Sequence, residues 1–359
     1  MVANLFSRAL NRGIQTCIGL KQRFRLKKEY GELNSCIIFL IPGYELKSGG
    51  ILSIFSFYRE TKRLFSGKKA VFMASYPGHP KIEKYNWFNN DVYVYSFDDL
   101  IEVIKDYSDI HMHLPEYYVE QFYDSLTNKV REKIKKAKTH INIMNQNIEC
   151  MPEPKVIQRL YSIADSVTMT NAHERYTTNE YRELYGVPVH LLASWYDQEP
   201  IKLIPYEKKL DKMIVSPDPH PAKEHILKYI KENIPSIELI IIKNVKYEDF
   251  KQLEKESKWS MSFGEGLDGY FAGPVLRGGV GFAVYNELFF TPAYKDLPTV
   301  FTSFDHFAND IVNFIKNNDN KIAYEKVNSV LFDIIDKQFN HRDYVNNIEL
   351  YYSQRYTFS

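Results

Sequence analysis

Short apolar runs that end in glycine, proline or serine recur along the chain, and each leads into a stretch of helical periodicity. Residues 35–42 (SCIIFLIP), 69–75, 91–96, 109–114, 139–144, 166–170 and 188–194 read as strands. Helical spacing is read at 51–65, near 98–107, over about 117–137 and at 173–185. A second series has strands at 212–216, 237–242, 259–263, 281–285 and 298–302, with helices near 221–233, 247–258 and 270–277. The last sixty residues read as helices. Strands that alternate with helices imply parallel sheets with helices on both faces. Two series in 359 residues predict an α/β chain of two doubly wound Rossmann-like domains facing a cleft, with C-terminal helices.

The expected division is a basic amphipathic helix at 1–28, an N-terminal domain at 29–200, a second domain at 201–335 and a helical segment at 336–359. The first 28 residues carry seven Lys or Arg and no Asp or Glu, although the whole chain has a net charge of +1. Leu5, Phe6, Leu10, Ile14, Ile18, Leu20 and Phe24 are interleaved with those cations. Such a helix either lies on an anionic membrane face or packs on its domain with a solvated basic side. No apolar run approaches the ~20 residues that span a bilayer. Without an export signal, the expected location is cytoplasmic, peripheral on the inner face of the plasma membrane. The near-neutral charge gives no reason to expect a nucleic-acid partner. Cys17, Cys36 and Cys150 are scattered and suggest neither a disulfide framework nor a zinc site.

Ligands of doubly wound sheets bind where strands turn into helices, so three post-strand loops carry the functional candidates. In PGYELKSGGI, Ser48, Gly49 and Gly50 precede a helix; they form either an anion-binding loop or a serine-capped turn. In PDPHPAK, Lys223 lies early in the next helix and either reaches a phosphate or is solvated. In SFGEGLDGY, Glu265 stands between glycines at a helix start, placed to accept hydrogen bonds from sugar hydroxyls or simply to form a tight acidic turn. Gly264, Gly266 and Gly269 also spell GxGxxG, with Glu287 near the spacing of a ribose-binding acid. That fingerprint belongs to the first strand–helix turn of a series, whereas this copy comes late. His111 and His113 share one strand face but have no identifiable third metal ligand, so a structural role or a substrate contact is expected and no metal.

Taken together, IIFLIPGYELKSGGILSIF, SPDPHPAKE and WSMSFGEGLDGYFAGPVLRGGVGFAVYN resemble bacterial glycosyltransferases of the two-Rossmann (GT-B) architecture. The closest resemblance is to the retaining, rhamnosyltransferase-like group that builds surface glycans. It implies transfer of a hexosyl or deoxyhexosyl group from a nucleotide-sugar donor to a growing, lipid-linked glycan, without metal or cofactor. It also implies roles for particular residues. Gly49 and Gly50 match the glycine loop near the donor phosphates, and Lys223 the cation that pairs with the diphosphate. Glu265 matches the first of two glutamates eight positions apart. The second would fall at 273, where this chain has glycine; Asp268 is the nearby candidate to replace it. Gly266, Asp268 and Arg277 complete the donor set. Glu265 and His113 are expected at the reacting centre, and Ser48 and His111 at the acceptor. Two alternatives stay open: a non-catalytic partner subunit, favoured by Gly273, and an NAD-dependent oxidoreductase resting on the GxGxxG match.

Overall fold

The computed structural model describes residues 2–30, 33–104, 108–193, 195 and 201–359, with side chains of the first helix described from residue 10 to 28. Helix α1 (Val2–Tyr30) is followed by β1 (Ser35–Ile41), α2 (Gly49–Leu64), β2 (Ala70–Ser75), β3 (Val94–Ser96), α3 (Phe97–Val103) and β4 (Asp109–Pro115). Then come α4 (Val119–Ser125), α5 (Asn128–Lys136), β5 (Lys138–Asn145), α6 (Pro154–Arg159), β6 (Ser166–Asn171), α7 (Asn179–Tyr185) and β7 (Val189–Leu191). The second series comprises β8 (Leu210–Val215), α8 (Lys223–Asn233), β9 (Glu238–Ile241), α9 (Tyr247–Glu256), β10 (Ser257–Met261), α10 (Gly269–Leu276), β11 (Val280–Val284) and β12 (Val300–Phe301). Helices α11 (Phe304–Asn318), α12 (Lys321–Phe339) and α13 (His341–Tyr352) complete the chain.

Both sheets are parallel throughout. The first has strand order β3-β2-β1-β4-β5-β6-β7 and the second β12-β11-β10-β8-β9. The apolar runs are the strand cores: all but the first residue of β1 and all of β2 and β10 are buried. Each unit therefore has its own apolar core, one including Ile38, Phe72, Met112 and Ile141, the other Trp259, Phe271, Phe282 and Phe307.

The helix expected over 117–137 is broken. Leu126 takes an extended conformation with its side chain buried, and Thr127 caps a new helix by accepting from Val130 N at 3.3 Å. An apolar residue that must turn inward, followed by a good cap, outweighs helical periodicity here. Similarly, Thr178 caps α7, so that helix starts later than expected from 173.

Two compact units result: Met1–Tyr196 together with His341–Ser359, and Asp197–Asn340. The boundary expected at 200 falls on residues 196–200, outside the described ones. The helical segment expected at 336–359 is divided, because α12 runs to Phe339 in the second unit whereas α13 belongs to the first. The reason is a polar seam. Tyr351 Oη lies 2.8 Å from His111 Nε2 and 3.1 Å from His140 Nε2, and Tyr352 Oη lies 2.8 Å from His113 Nε2 and 3.1 Å from Thr61 Oγ1. Val189 and Phe358 then form an antiparallel bridge at the sheet edge.

Candidate functional site

Each sheet has one point at which successive connections depart in opposite directions. In the first unit it lies between β1 and β4; in the second, between β8 and β10. The crevice beyond the carboxyl ends of such a strand pair is where open α/β sheets bind ligands. In the second unit, the two loops flanking that point are Ser216–Ala222 and Ser262–Asp268.

These two loops are tied together. Buried Ser216 accepts a hydrogen bond through Oγ from Phe263 N at 2.9 Å. Lys223 begins α8 and turns back, its Nζ donating to Ser216 O at 2.5 Å and Asp218 O at 2.9 Å. It forms no ion pair among the described residues, and burial lowers its pKa from the ordinary lysine value, with Asp218 opposing. A half-buried ammonium held by neutral carbonyls, with the Phe263 ring centroid 5.3 Å from its Nζ, is a standing attraction for an anion. The Asp218 carboxylate lies against Gly264, where an added Cβ would come within 2.8 Å of it. Next to them, the His220 and Phe304 rings stack at 3.6 Å, with Phe263 parallel to Phe304 at 5.8 Å.

Glu265 is half-buried at the tip of its loop. Gly266 has φ +84, and a Cβ there would sit 2.5 Å from Phe290 Cε2 and 3.0 Å from Val284 O. The turn that presents Glu265 therefore needs glycine twice over, for its left-handed backbone and for space. Asp268 is the N-cap of α10: its Oδ1 accepts from Tyr270 N at 2.8 Å and Phe271 N at 3.1 Å, while Oδ2 accepts from Ser262 Oγ. Burial pushes its pKa up to about 6 against the pull of those donors. Its oxygens are thus committed to the helix end. Gly273 is buried in α10. Any carboxylate at position 273 would have to enter the packed face of that helix.

Arg277 is not brought together with this crevice. It caps the carboxyl end of α10, is 1% exposed, and its carbonyl accepts from Ile204 N at 3.1 Å. Its neighbour in charge is Lys209, which precedes β8 and whose pKa is lowered to about 7 chiefly by burial. Both residues lie at the amino ends of the strands, across the sheet from Lys223 and Glu265.

In the first unit, Ser48 caps α2 by accepting from Ile51 N at 3.3 Å, directly after the β1 loop. Gly49 is open to solvent, whereas a Cβ on Gly50 would collide with Gln146 Oε1 at the end of β5. Across the switch point, at the end of β4, Glu116 is 5% exposed and accepts from Asn147 N at 2.9 Å. Burial raises its pKa to about 7, with the hydrogen bonds from Asn147 and Gln146 amides opposing. A small cavity beside the first turn of α2 is lined by Ser53, Asn145, Gln146 and Thr170, among others.

The two histidines of β4 lie within the polar seam under α13, away from these loops. His113 is fully buried, stacked on Phe39 at 4.3 Å and bonded to Tyr352 and Asn142. His111 bonds to Tyr351. Burial holds both pKa values well below the usual histidine range, with neighbouring imidazoles adding to the shift. What the geometry shows for them is packing of the C-terminal helix. No cluster of three or more His, Cys, Asp or Glu suited to a metal ion occurs among the described residues.

Sequence reasoning missed Asp218, the stacked His220–Phe304 pair and Glu116. Asp218 stood inside a loop already singled out, but nothing in PDPHP says that its carboxylate meets Gly264 across the crevice. Glu116 follows Pro115 at a strand end, which was its only available signal.

No protein-family model matches the chain, and no curated protein matches it. Solved structures do. Sucrose-phosphate synthase from Thermosynechococcus elongatus superposes with a TM-score of 0.57 at 9% identity, over 89% of this chain and 99% of that one. Trehalose-6-phosphate synthase OtsA gives 0.50 at 9% identity, over 89% and 98%. The likeness is one of fold: two Rossmann-like parallel sheets in one chain, the GT-B architecture.

Proposed function

We propose that the protein is a nucleotide-sugar glycosyltransferase, and that the β8–β10 crevice holds the donor. The observation that carries this reading is Lys223: a half-buried cation without an ion pair among the described residues, at the topological switch point and at the start of α8. The synthase names of the two solved structures with this fold agree with it. Gly266 would lend backbone to the donor site, and Glu265 would accept hydrogen bonds from the sugar hydroxyls. On the first unit, Gly49 and Gly50 would offer helix-start amides to a phosphate, and Ser48 would face the acceptor. The acceptor is a growing surface glycan carried on a lipid.

In the transfer, the bond from the anomeric carbon to the diphosphate oxygen breaks, and a bond to the acceptor oxygen forms. The acceptor proton passes to the departing diphosphate, which suits retention of configuration and needs no metal. Lys223 and the first amides of α8 stabilise the charge that develops on that leaving group. The NAD-dependent alternative rests on the GxGxxG match alone, and that match follows β10, the third strand of its series, rather than the first.

A second reading, a non-catalytic partner subunit, is favoured by one observation. Gly273 is packed and Asp268 is spent as a cap, so neither supplies the second acid of the retaining pattern. The test is release of UDP, GDP or dTDP from the corresponding sugar nucleotides, or of CMP from CMP-sugars, by wild type and Glu265→Gln. Release from one donor, lost in the variant, supports catalysis. Binding of the nucleotide without any release, with or without added glycan, would favour the partner subunit.

A further inference from the structure

Helix α1 docks on the first unit by its polar side. Gln22 Nε2 donates to Ile82 O and Val94 O at 3.1 Å each, and its Oε1 accepts from Ser96 N at 2.8 Å. One turn pair earlier, Gln15 Oε1 accepts from Lys81 N at 2.7 Å. Val94 and Ser96 belong to β3, the edge strand of the sheet, so these amides satisfy an otherwise open edge. Gly19 allows the close approach: an added Cβ would sit 2.6 Å from Lys81 Nζ. Leu26 completes the docked side and is 2% exposed.

The opposite side is the apolar one. At about 100° per residue, Leu20, Phe24, Leu10 and Ile14 share an arc of about 120°, away from Gln15, Gly19, Gln22 and Leu26. Their exposures are 65%, 74%, 67% and 48%. An amphipathic helix ordinarily buries such a stripe; here it faces outward. Lys27 and Lys28 stand beside or within this arc and form no ion pair among the described residues, and no acidic residue occurs in the first 28. The face is a single convex helix with no groove, so its occupant needs apolar depth and negative charge but no matching shape.

We propose that the outer face of α1 is a docking surface for an anionic lipid bilayer, with Leu10, Ile14, Leu20 and Phe24 entering the interface and the cations meeting headgroups. The inference rests on α1 alone and stands whether or not the chain transfers sugars. The test is co-sedimentation of the full chain with vesicles of phosphatidylcholine alone, or mixed with phosphatidylglycerol at roughly 2:1. Binding is expected only to the mixed vesicles. It should fall at least about tenfold in the double variant Leu20→Ser/Phe24→Ser, whose thermal midpoint should match wild type because both side chains are exposed. A fluorophore on Cys17, which is exposed on the same arc, in a Cys150→Ser background should shift to the blue only with the mixed vesicles. Absence of binding, or equal binding to both vesicle types, overturns the proposal. So does a concentration-dependent dimer that the double variant abolishes, since the face would then belong to a second copy.

Discussion

Replacing His140 by Gln should change how stability responds to acid more than it changes stability itself. His140 bridges Ser166 Oγ (2.6 Å), Thr168 Oγ1 (2.9 Å) and Tyr351 Oη (3.1 Å), so it joins β5 and β6 to α13. Burial lowers its pKa from 6.5 to about 4. In the native state the ring is therefore neutral over a range in which the unfolded chain binds a proton. That contribution is complete above pH 6.5 and is lost as pH falls toward 4. The gap corresponds to about 3 kcal/mol. The wild-type curve alone is a poor test, because buried acids act in the opposite sense. Glu116, raised to about 7, and Asp268, raised to about 6, bind protons in the native state first and gain stability over much the same range. The informative quantity is the difference between wild type and His140→Gln in urea unfolding, measured from pH 4 to 8. Lost hydrogen bonds give a constant offset, whereas the imidazole gives a slope: wild type should lose about 3 kcal/mol relative to the variant between pH 6.5 and 4. A flat difference curve would mean that the ring takes up its proton as readily in the folded protein as in the unfolded chain, and the argument for a neutral seam would fail.

Glu116→Gln should tilt the same comparison the other way, with wild type gaining about 3 kcal/mol over the variant as pH falls from 7 to 4.5; urea titrations at several pH values read this out. Gly266→Ala should destabilise the protein by about 2–4 kcal/mol, combining a left-handed backbone with overlap on Phe290, and a midpoint unchanged in calorimetry would refute the steric account. Asp268→Ala removes the cap of α10 and should cost about 1–2 kcal/mol at neutral pH. Because the native carboxyl keeps its proton up to about pH 6, that cost should grow toward pH 4.

Much of this architecture was legible because parallel strands buried on both faces leave little choice of residue. CIIFLI and AVFMAS are unbroken or nearly unbroken apolar runs, and each became a strand within a residue or two of its expected ends. Loops after β1, β8 and β10 were legible for the same reason, since strand ends mark where ligands gather. What the sequence concealed were choices made by tertiary contact. Leu126 broke a periodic helix because its side chain found a buried site. The β4 histidines looked like chemistry, but Tyr351 and Tyr352, some 240 residues away, claim their nitrogens. Arg277 sits next to a candidate loop in sequence, yet one helix length carries it to the far end of the sheet. The apolar stripe of α1 left a membrane face and packing on the domain both open, and it is Gln15 and Gln22 that supply docking contacts.

The most direct measurement of the central claim is titration calorimetry of the full chain with UDP, GDP, dTDP and CMP, comparing wild type, Lys223→Ala and Lys228→Ala. Lys228 is exposed on the same helix and serves as the control. A donor crevice at β8–β10 predicts saturable binding of one nucleotide by wild type and Lys228→Ala. Removing the Lys223 charge should weaken that binding by at least about tenfold, as expected for a charge-assisted contact. Equal affinity in all three proteins, or no nucleotide bound by any, would contradict the assignment of Lys223 and of the crevice it closes.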